Sequence, residues 1–321
     1  MTQPNSTTPT NCDPAFTSGS VTLVLDAPQQ SMTSPTLPTH FRSMANLSGI
    51  SGTAASGSAE FSGSQFQAMI DQKAVTLPMT VVDLRQEPHG FLSLKQPLNG
   101  DTEIAVGWFA ERDWLNVDKG LPSVLLDEDN RLKQAAGSTT LTVYEVTKKT
   151  SEDGICTATP VAVQPAGSYM HEQKLVEAVS NVSYLRLPTT DHCRPRDSEV
   201  DQFVAFEAAL SSNMWLHFHC RAGDGRTTTF MAMHDIMHNA PTDSLNTILA
   251  RQVSIGGIDL SAYPSNQDAF SYPFSTARVE FMQQFYNYVI QQKAGGYKLT
   301  WSDWVTQQIP QSQLAAGASG D

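Results

Sequence analysis

Short apolar segments alternate with amphipathic segments along most of this chain. Three apolar runs have the length of a buried strand: TVVDLRQ at 80–86, VSYLRLP at 182–188 and WLHFH at 215–219. Apolar residues at helical spacing follow the last two runs, over 197–210 and 227–239. Because strands that alternate with helices pack as mostly parallel, helix-covered sheets, the pattern predicts an α/β fold.

The pattern changes over residues 91–160. Charges and turn residues are dispersed there, and TTLTVYEV at 139–146 alternates as a half-buried strand does. We therefore expect an inserted β-rich module at 91–160, within a core made of residues 36–90 and 161–310. Further helices are predicted near 243–252 and after Ser275.

The two ends of the chain are polar. Residues 1–35 are rich in Ser, Thr, Pro and Gln, so we expect a mobile segment there, and a loose tail at 311–321. The N-terminal sequence has no basic n-region and no apolar h-region, so it does not resemble a secretory signal. The expectation is delivery to a host by a specialised secretion system, or a periplasmic or extracellular protein whose signal has been removed.

Composition narrows the classes of partner. The chain has 321 residues, with 20 Lys+Arg against 32 Asp+Glu, which gives a net charge of −12. This balance argues against nucleic-acid and anionic-membrane binding, but it is compatible with one local anion site. The four cysteines have neither zinc-site nor disulfide-scaffold spacing. We predict no metal, no cofactor and no membrane partner, and a monomer is compatible with the sequence.

The segment HFHCRAGDGRTTTF at 217–230 joins a predicted strand to a predicted helix. Backbone N–H groups in such a loop converge on one point and, with the helix dipole, form an anion-binding cradle. The same field favours a thiolate at Cys220. Arg226 has the planar fork that matches two phosphoryl oxygens, and Thr227 can donate its hydroxyl to the sulfur.

These residues resemble the HC-x5-R-[ST] signature of cysteine-dependent phosphatases, present here as His219-Cys220-RAGDG-Arg226-Thr227. The resemblance implies a phosphocysteine intermediate and an aspartate on another loop that protonates the leaving oxygen. It implies that His219 supports the loop and the thiolate; packing on the strand is the alternative for His219 and, more strongly, for His217. The implied phosphate-binding residues are Arg221, Ala222, Gly223, Asp224 and Gly225.

The candidate general acid is Asp191, which directly follows the strand at 182–188. The alternative is a turn aspartate that bonds to its own backbone. Asp197 and Asp201 compete on chemistry alone, but their position at a helix start favours capping, as does that of Ser198.

Longer segments narrow the resemblance. TDHC at 190–193, VVDLRQEPHGF at 81–91, ERDW at 111–114 and WLHFHCRAGDGRTTTFM at 215–231 are similar to the bacterial protein-tyrosine-phosphatase-like inositol phosphatases, the cysteine phytases. The resemblance implies a phosphatase core interrupted by a small partial β-barrel. It also implies metal-free hydrolysis of phosphate monoesters of inositol polyphosphates such as phytate. By the same resemblance, Arg42, Asp113 and His192 border or contact the inositol phosphate, and Arg85 is structural.

Two features depart from that family. Its members carry a lysine cluster before the last long helix, whereas residues 261–278 contain no lysine; Arg278, Lys148 and Lys149 are candidates to compensate. Asp224 places a negative charge inside the anion-binding loop, and we expect it to pair with Arg221. Two other functions stay open: a protein-tyrosine phosphatase, which could be a secreted effector acting on host proteins, and a non-catalytic phosphate-binding module.

Overall fold

The structure is a computed structural model that describes residues 21–28, 36–94, 102–109, 113–150, 154–163, 166–263 and 271–308. Within these ranges the strands are β1 (Thr22–Leu25), β2 (Arg42–Ser43), β3 (Ala55–Ser58), β4 (Met79–Arg85), β5 (His89–Leu94), β6 (Thr102–Phe109), β7 (Leu141–Thr150), β8 (Gly154–Val163), β9 (Ala166–Met170), β10 (Val182–Thr189) and β11 (Trp215–His219). The helices are α1 (Gly63–Asp71), α2 (Leu121–Ala136), α3 (Glu172–Glu177), α4 (Asp197–Ala208), α5 (Gly225–Asn239), α6 (Leu245–Ser254), α7 (Ser271–Gln292) and α8 (Trp301–Gln308).

A five-stranded sheet forms the centre of the core. Its order is β10-β4-β11-β3-β2, and every neighbouring pair except β2–β3 is parallel. All seven residues of β4 and all five of β11 are buried, as expected for parallel strands covered on both faces. The predicted α/β fold with a parallel-rich sheet is confirmed.

Helices cover both faces of this sheet. Successive residues of a strand point to opposite faces, so Val82 and Phe218 pack into one apolar cluster while Val81 and Trp215 pack into another. The first cluster contains apolar residues of α4, α5, α6, α7 and α8, and the second contains those of α1 and α3. Among the described helices, none has both the length and the apolar character needed to cross a bilayer.

A second, six-stranded sheet has the order β8-β7-β1-β6-β5-β9. Apart from the parallel β1–β7 pair, neighbouring strands in it run antiparallel. Helix α2 packs on this sheet through Leu132 and Ala135, which lie among buried residues of β1, β5 and β6. The β-rich character predicted for 91–160 is present, and closure of the sheet into a partial barrel remains a prediction.

Strand β1 departs from the mobile segment expected over residues 1–35. Thr22–Leu25 pairs with β6 in the register Thr22↔Phe109 to Leu25↔Val106, and all four residues are buried. The reason is local: VTLVL is an apolar run within a polar segment, and strand pairing buries it. Residues 1–20 and 311–321 lie outside the described residues.

The first turn of α4 also differs from the sequence prediction. The helix begins at Asp197, so Ser198 lies inside the first turn, and the Glu199 carboxylate accepts the Arg196 N–H at 2.6 Å. The Asp197 carboxylate accepts from the Trp301 indole at 2.9 Å, and Asp201 accepts from the Ser302 backbone at 3.1 Å. Both aspartates therefore anchor α8 and are not candidates for the general acid.

Candidate active site

The candidate site lies where parallel strands of the five-stranded sheet end. Cys220 directly follows β11, Glu60 comes two residues after β3, and Glu87 comes two residues after β4. Asp191 comes two residues after β10. Carboxyl ends of parallel strands meet at one edge of a sheet, so the topology brings these four side chains together.

The loop after Cys220 is held open by contacts on its outer side. The carbonyl oxygens of Arg221, Ala222 and Gly223 all face partners outside the loop. Their partners are the Glu60 N–H, the His40 ring and the Arg42 guanidinium, at 3.1, 3.0 and 2.7 Å. In a trans peptide the N–H points opposite to the preceding carbonyl, so the following N–H groups face the hollow of the loop. This is the cradle that the sequence predicts.

Gly223 is required by its conformation and by a close approach to the backbone, whereas Gly225 lies against the end of a side chain. Gly223 has φ +78°, and a Cβ there would lie 2.4 Å from the Ala59 nitrogen. A Cβ at Gly225 would lie 2.9 Å from an Arg278 Nη atom. Gly225 also begins α5, so the positive end of the helix dipole faces the hollow.

Cys220 lies at the base of the hollow. Its residue is 2% exposed, and the Thr227 hydroxyl donates to its Sγ at 3.2 Å. A hydroxyl donor on the sulfur stabilises the thiolate form. The predicted pairing of Cys220 with Thr227 is therefore present.

Arg226 is fixed by carboxylates on one side and has a spare donor on the other. Its two Nη atoms donate to the two Glu87 oxygens at 2.7 and 2.9 Å, and one Nη lies 3.2 Å from Asp191 Oδ1. Burial would raise the pKa of Glu87, but Arg226 and Arg85 hold that pKa well below its usual range. The Arg226 Nε is buried and has no hydrogen-bond partner among the described residues, which suits a phosphate oxygen.

The Asp191 loop is held by three other side chains. Asp191 Oδ2 lies 3.3 Å from His192 Nε2, and the Trp114 indole donates to the Asp191 carbonyl at 3.0 Å. The Arg278 guanidinium donates to the His192 carbonyl at 2.6 Å. His192 has φ +64°, and its side chain is 44% exposed. Arg278 was a candidate to compensate for the missing lysines, and it contacts the loop that carries Asp191, here called the acid loop.

A buried charge pair lies beneath the loop. His219 Nε2 lies 2.8 Å from Glu172, and Nδ1 lies 3.5 Å from Glu60. Burial alone would lower the pKa of His219, but the two carboxylates outweigh it and raise the pKa to about 9. Burial would raise the pKa of Glu172, but His219 holds it at about 2. The carboxylates of Glu172 and Glu60 thus favour the imidazolium form of His219 next to the loop, and its support of the thiolate remains a prediction.

His217 has the packing role that was its alternative. On the sheet face that the second apolar cluster covers, its ring lies 2.9 Å from the Ser56 hydroxyl and 3.1 Å from the Ser58 hydroxyl. Burial, with the charge of His219, lowers the pKa of His217 to about 3, so the ring is neutral.

Some residues that were predicted to bind the inositol phosphate form hydrogen bonds with other residues of the protein. Arg42 is 4% exposed and donates to Gly223 and Thr228, so it supports the outer side of the loop. The two carboxylate oxygens of Asp113 accept hydrogen bonds at 2.8 and 2.7 Å from one Nη atom of Arg221. The expected Asp224–Arg221 pair is wrong: Asp224 lies 2.9 Å from His40, because Arg221 is already held between Asp113 and Asp26.

Four acidic residues of the site were not predicted. Asp26 accepts from Arg85 and Arg221 at the end of β1, while Glu60 and Glu172 flank His219. Glu87, which holds Arg226, stands inside the DLRQEPHG segment that the resemblance singled out. That position was the one available signal; the other three carboxylates have no local motif.

Comparison with known proteins agrees with this geometry. The PTP-like phytase family model, described as inositol hexakisphosphate, matches residues 82–238. The structure of a PTP-like phytase from Bdellovibrio bacteriovorus is 32% identical, has a TM-score of 0.66, and covers 94% of this chain and 98% of that chain. The chain belongs to the PTP-like phytase family. Membership indicates a phosphatase.

Other relatives of this PTP-like phytase family member are longer. The tandemly repeated phytase from Mitsuokella multacida is 33% identical, with a TM-score of 0.73, over 94% of this chain and 50% of that chain. A Mitsuokella multacida PTP-like myo-inositol phosphatase in complex with myo-inositol-(1,3,4,5)-tetrakisphosphate is 34% identical, with a TM-score of 0.73, over 89% and 49%. Effector protein hopD2 of Pseudomonas syringae pv. tomato is 25% identical over 71% of this chain and 46% of its own length. The chain thus spans about half the length of these three relatives.

Proposed function

We propose that this protein hydrolyses phosphate monoesters of inositol polyphosphates through a phosphocysteine intermediate. The observation that carries the proposal is the convergence of a hydroxyl-stabilised Cys220, a buried Arg226 and Asp191 around one backbone cradle. A nucleophile, a clamp for phosphoryl oxygens and an acid on a separate loop are the groups that this reaction needs.

The first step transfers the phosphoryl group to sulfur. The Cys220 thiolate attacks phosphorus, the S–P bond forms and the P–O bond to the inositol carbon's oxygen breaks. Asp191 gives its proton to the leaving oxygen, and the loop N–H groups with Arg226 hold the three phosphoryl oxygens. The phosphate's charge replaces Asp191 as a partner of Arg226, which favours the protonated carboxyl that the step requires.

The second step restores the enzyme. Asp191, now a carboxylate, takes a proton from a water molecule that attacks the phosphocysteine. The S–P bond breaks, inorganic phosphate leaves, and the Thr227 hydroxyl stabilises the Cys220 thiolate that is released.

Inositol phosphate is favoured as the substrate by the relatives and by the residues around the hollow. The Mitsuokella multacida relative was solved with an inositol tetrakisphosphate. Arg278 and the half-exposed His192 lie at the loop that carries Asp191, where their N–H groups can donate to a second phosphate of a polyphosphorylated ring. The second candidate is a protein-tyrosine phosphatase; similarity to an effector protein favours it.

A direct comparison of substrates tests the proposal. Phosphate release from phytate and from a phosphotyrosine peptide is measured side by side, with Cys220→Ser, purified in the same way, as the test of the nucleophile. We expect faster turnover of phytate and loss of both activities in Cys220→Ser, since a serine hydroxyl has no base here to activate it. A clear preference for the peptide would favour the second candidate, and activity retained by Cys220→Ser would exclude the covalent mechanism.

A further inference from the structure

A second cluster of ionisable side chains lies on α5, away from the loop. His234 and His238 are one turn apart and both face Glu207 near the end of α4: His234 Nδ1 and His238 Nε2 lie 2.8 and 2.9 Å from Glu207 Oε1. The three candidate ligand atoms all lie within 4.8 Å of one another. We propose that Glu207, His234 and His238 bind Zn²⁺ or a similar first-row divalent ion. This site is separate from the proposed phosphatase chemistry.

The orientation of His234 is fixed by a second contact. Its Nε2 lies 2.8 Å from the Gly52 carbonyl, which can accept the proton on that nitrogen. Nδ1 is then the nitrogen that faces Glu207. A metal-binding histidine characteristically donates its other N–H to a backbone carbonyl in this way. Gly52 has φ +70°, and a Cβ there would lie 2.6 Å from the His238 ring, so this turn packs directly on the pair.

The Glu207 carboxylate has an unused oxygen. Its side chain is 3% exposed, and Oε2 has no hydrogen-bond partner among the described residues. A buried carboxylate oxygen without a partner is costly, and a divalent cation would remove that cost. This oxygen is the observation, beyond the spacing of the histidines, that points to a ligand.

A small movement of the three side chains would give their ligand atoms the spacing found around a metal ion. Ligands about 2.0–2.2 Å from a tetrahedral zinc ion are about 3.3 Å apart, a few tenths of an ångström more than the distances seen here. His238 can supply this space because its side chain is 38% exposed and lies at the surface. The same exposure leaves room for water as a fourth ligand. Two imidazoles and a carboxylate are a ligand set that zinc accepts.

In a second group of possible metal ligands, arginines already supply the positive charge. Glu60, His89 and Glu172 also bring three ligand atoms together. However, Arg85 lies 2.9 Å from Glu60, and Arg186 is among the charges acting on His89, so guanidinium groups already supply the positive charge. In the described part of the chain, Glu207 forms ion pairs with the two histidines and with no arginine or lysine.

The location indicates a structural effect. His234 lies nine residues after Gly225, roughly 13 Å along α5 from the loop. An ion there would tie α4, α5 and the turn at Gly52 together, without contact with a phosphate in the hollow. We therefore expect metal binding to raise thermal stability.

The test uses the full chain carrying Cys220→Ser, so that zinc cannot bind the nucleophilic thiolate and phosphatase activity plays no part. After treatment with a chelator, Zn²⁺ binding is measured by calorimetry and thermal unfolding, and Co²⁺ binding by visible absorption. We expect about one equivalent of metal, a raised Tm, and a Co²⁺ spectrum typical of four-coordination.

Variants assign the site. His238→Ala and the conservative His238→Gln should each weaken binding by about tenfold or more. His171→Ala is the matched control: His171 also pairs with two carboxylates, Glu128 and Asp129, but it is not part of a three-ligand group among the described residues. Absence of Zn²⁺ binding in the parent, or equal binding by the parent and both His238 variants, would overturn the proposal.

Discussion

At the scale of single residues, the Asp191 carboxylate lies between the Arg226 guanidinium and the His192 ring. One carboxylate oxygen lies 3.2 Å from Arg226 and the other 3.3 Å from His192. Asparagine has the same shape, so Asp191→Asn keeps the loop contacts and removes the transferable proton. We expect turnover of phytate to fall by roughly 10²–10⁴-fold.

The leaving group provides the control for this variant. An aryl phosphate releases a stable phenolate and needs little protonation, so Asp191→Asn should affect its turnover much less. Steady-state rates on both substrates measure the difference. Equal losses on both would remove Asp191 from the acid role.

Some residues of the site could be predicted from the sequence, whereas the contacts of others could not. Cys220, Arg226 and Thr227 could be predicted because they stand within eight positions of one another and follow a strand. Arg42 and Arg221 were predicted to bind the inositol phosphate, which remains a prediction; in the structure their hydrogen bonds go to Gly223 and Asp113. Which acceptor a guanidinium contacts depends on tertiary packing over more than a hundred residues, and no local pattern encodes it.

At the scale of elements, the acid loop is fixed from two directions. Trp114, between β6 and α2, donates to the Asp191 carbonyl, and Arg278 on α7 donates to the His192 carbonyl. The Trp114 ring also makes an edge contact with Phe274 on α7, with centroids 5.4 Å apart. Hydrogen bonds from two separate elements thus hold the backbone of this loop at Asp191 and His192.

Removal of one donor should mainly affect the chemical step. Trp114→Phe keeps the ring contact with Phe274 and loses the N–H, worth about 0.5–1.5 kcal/mol, so kcat on phytate should fall by about 2–10-fold. KM should change little, and the aryl phosphate rate should be nearly unaffected. Trp108→Phe, a buried tryptophan in β6 away from the acid loop, is the control. A rise in KM with unchanged kcat would instead indicate that Trp114 binds substrate.

Some helices and strands are easier to predict from the sequence than others. The strands β4, β10 and β11 and the helices α4 and α5 were predicted because their apolar periodicity is strong. Helix α2 was not, since its buried positions include the charged Glu128, which accepts from Arg186 at 2.7 Å. Strand β1 was not either, because four apolar residues within a polar segment are a weak signal until β6 pairs with them.

At the scale of the whole molecule, buried ion pairs join the two sheets beneath the active site. Arg85 at the end of β4 contacts Asp26, which follows β1 of the other sheet, at 2.7 Å. Glu172, which begins α3, contacts both His89 of β5 and His219 of β11, at 3.0 and 2.8 Å. An ion pair thus connects the second sheet to His219, the residue that precedes Cys220.

This network gives stability a defined pH dependence. The pKa of His219 is about 9 when folded against an ordinary value of 6.5, because Glu172 and Glu60 outweigh the effect of burial. A raised folded pKa means that the His219 contribution is complete below about pH 6.5 and is lost as the pH rises through about 9. Glu60, with a pKa raised to about 7 by burial and by Glu172, titrates in the lower part of that window, so the measurement starts above it, at about pH 7.5.

Glu172→Gln removes the main charge that keeps His219 protonated. Free energies of unfolding are measured by denaturant titration from about pH 7.5 to about pH 10. The wild type should lose stability across this range relative to Glu172→Gln, by an amount on the order of 2 kcal/mol, because only the wild type must release the extra proton. The control is Glu177→Gln, an exposed position on the same helix, which should follow the wild type. Parallel pH profiles for the wild type and Glu172→Gln would show that Glu172 does not hold His219 in its charged form.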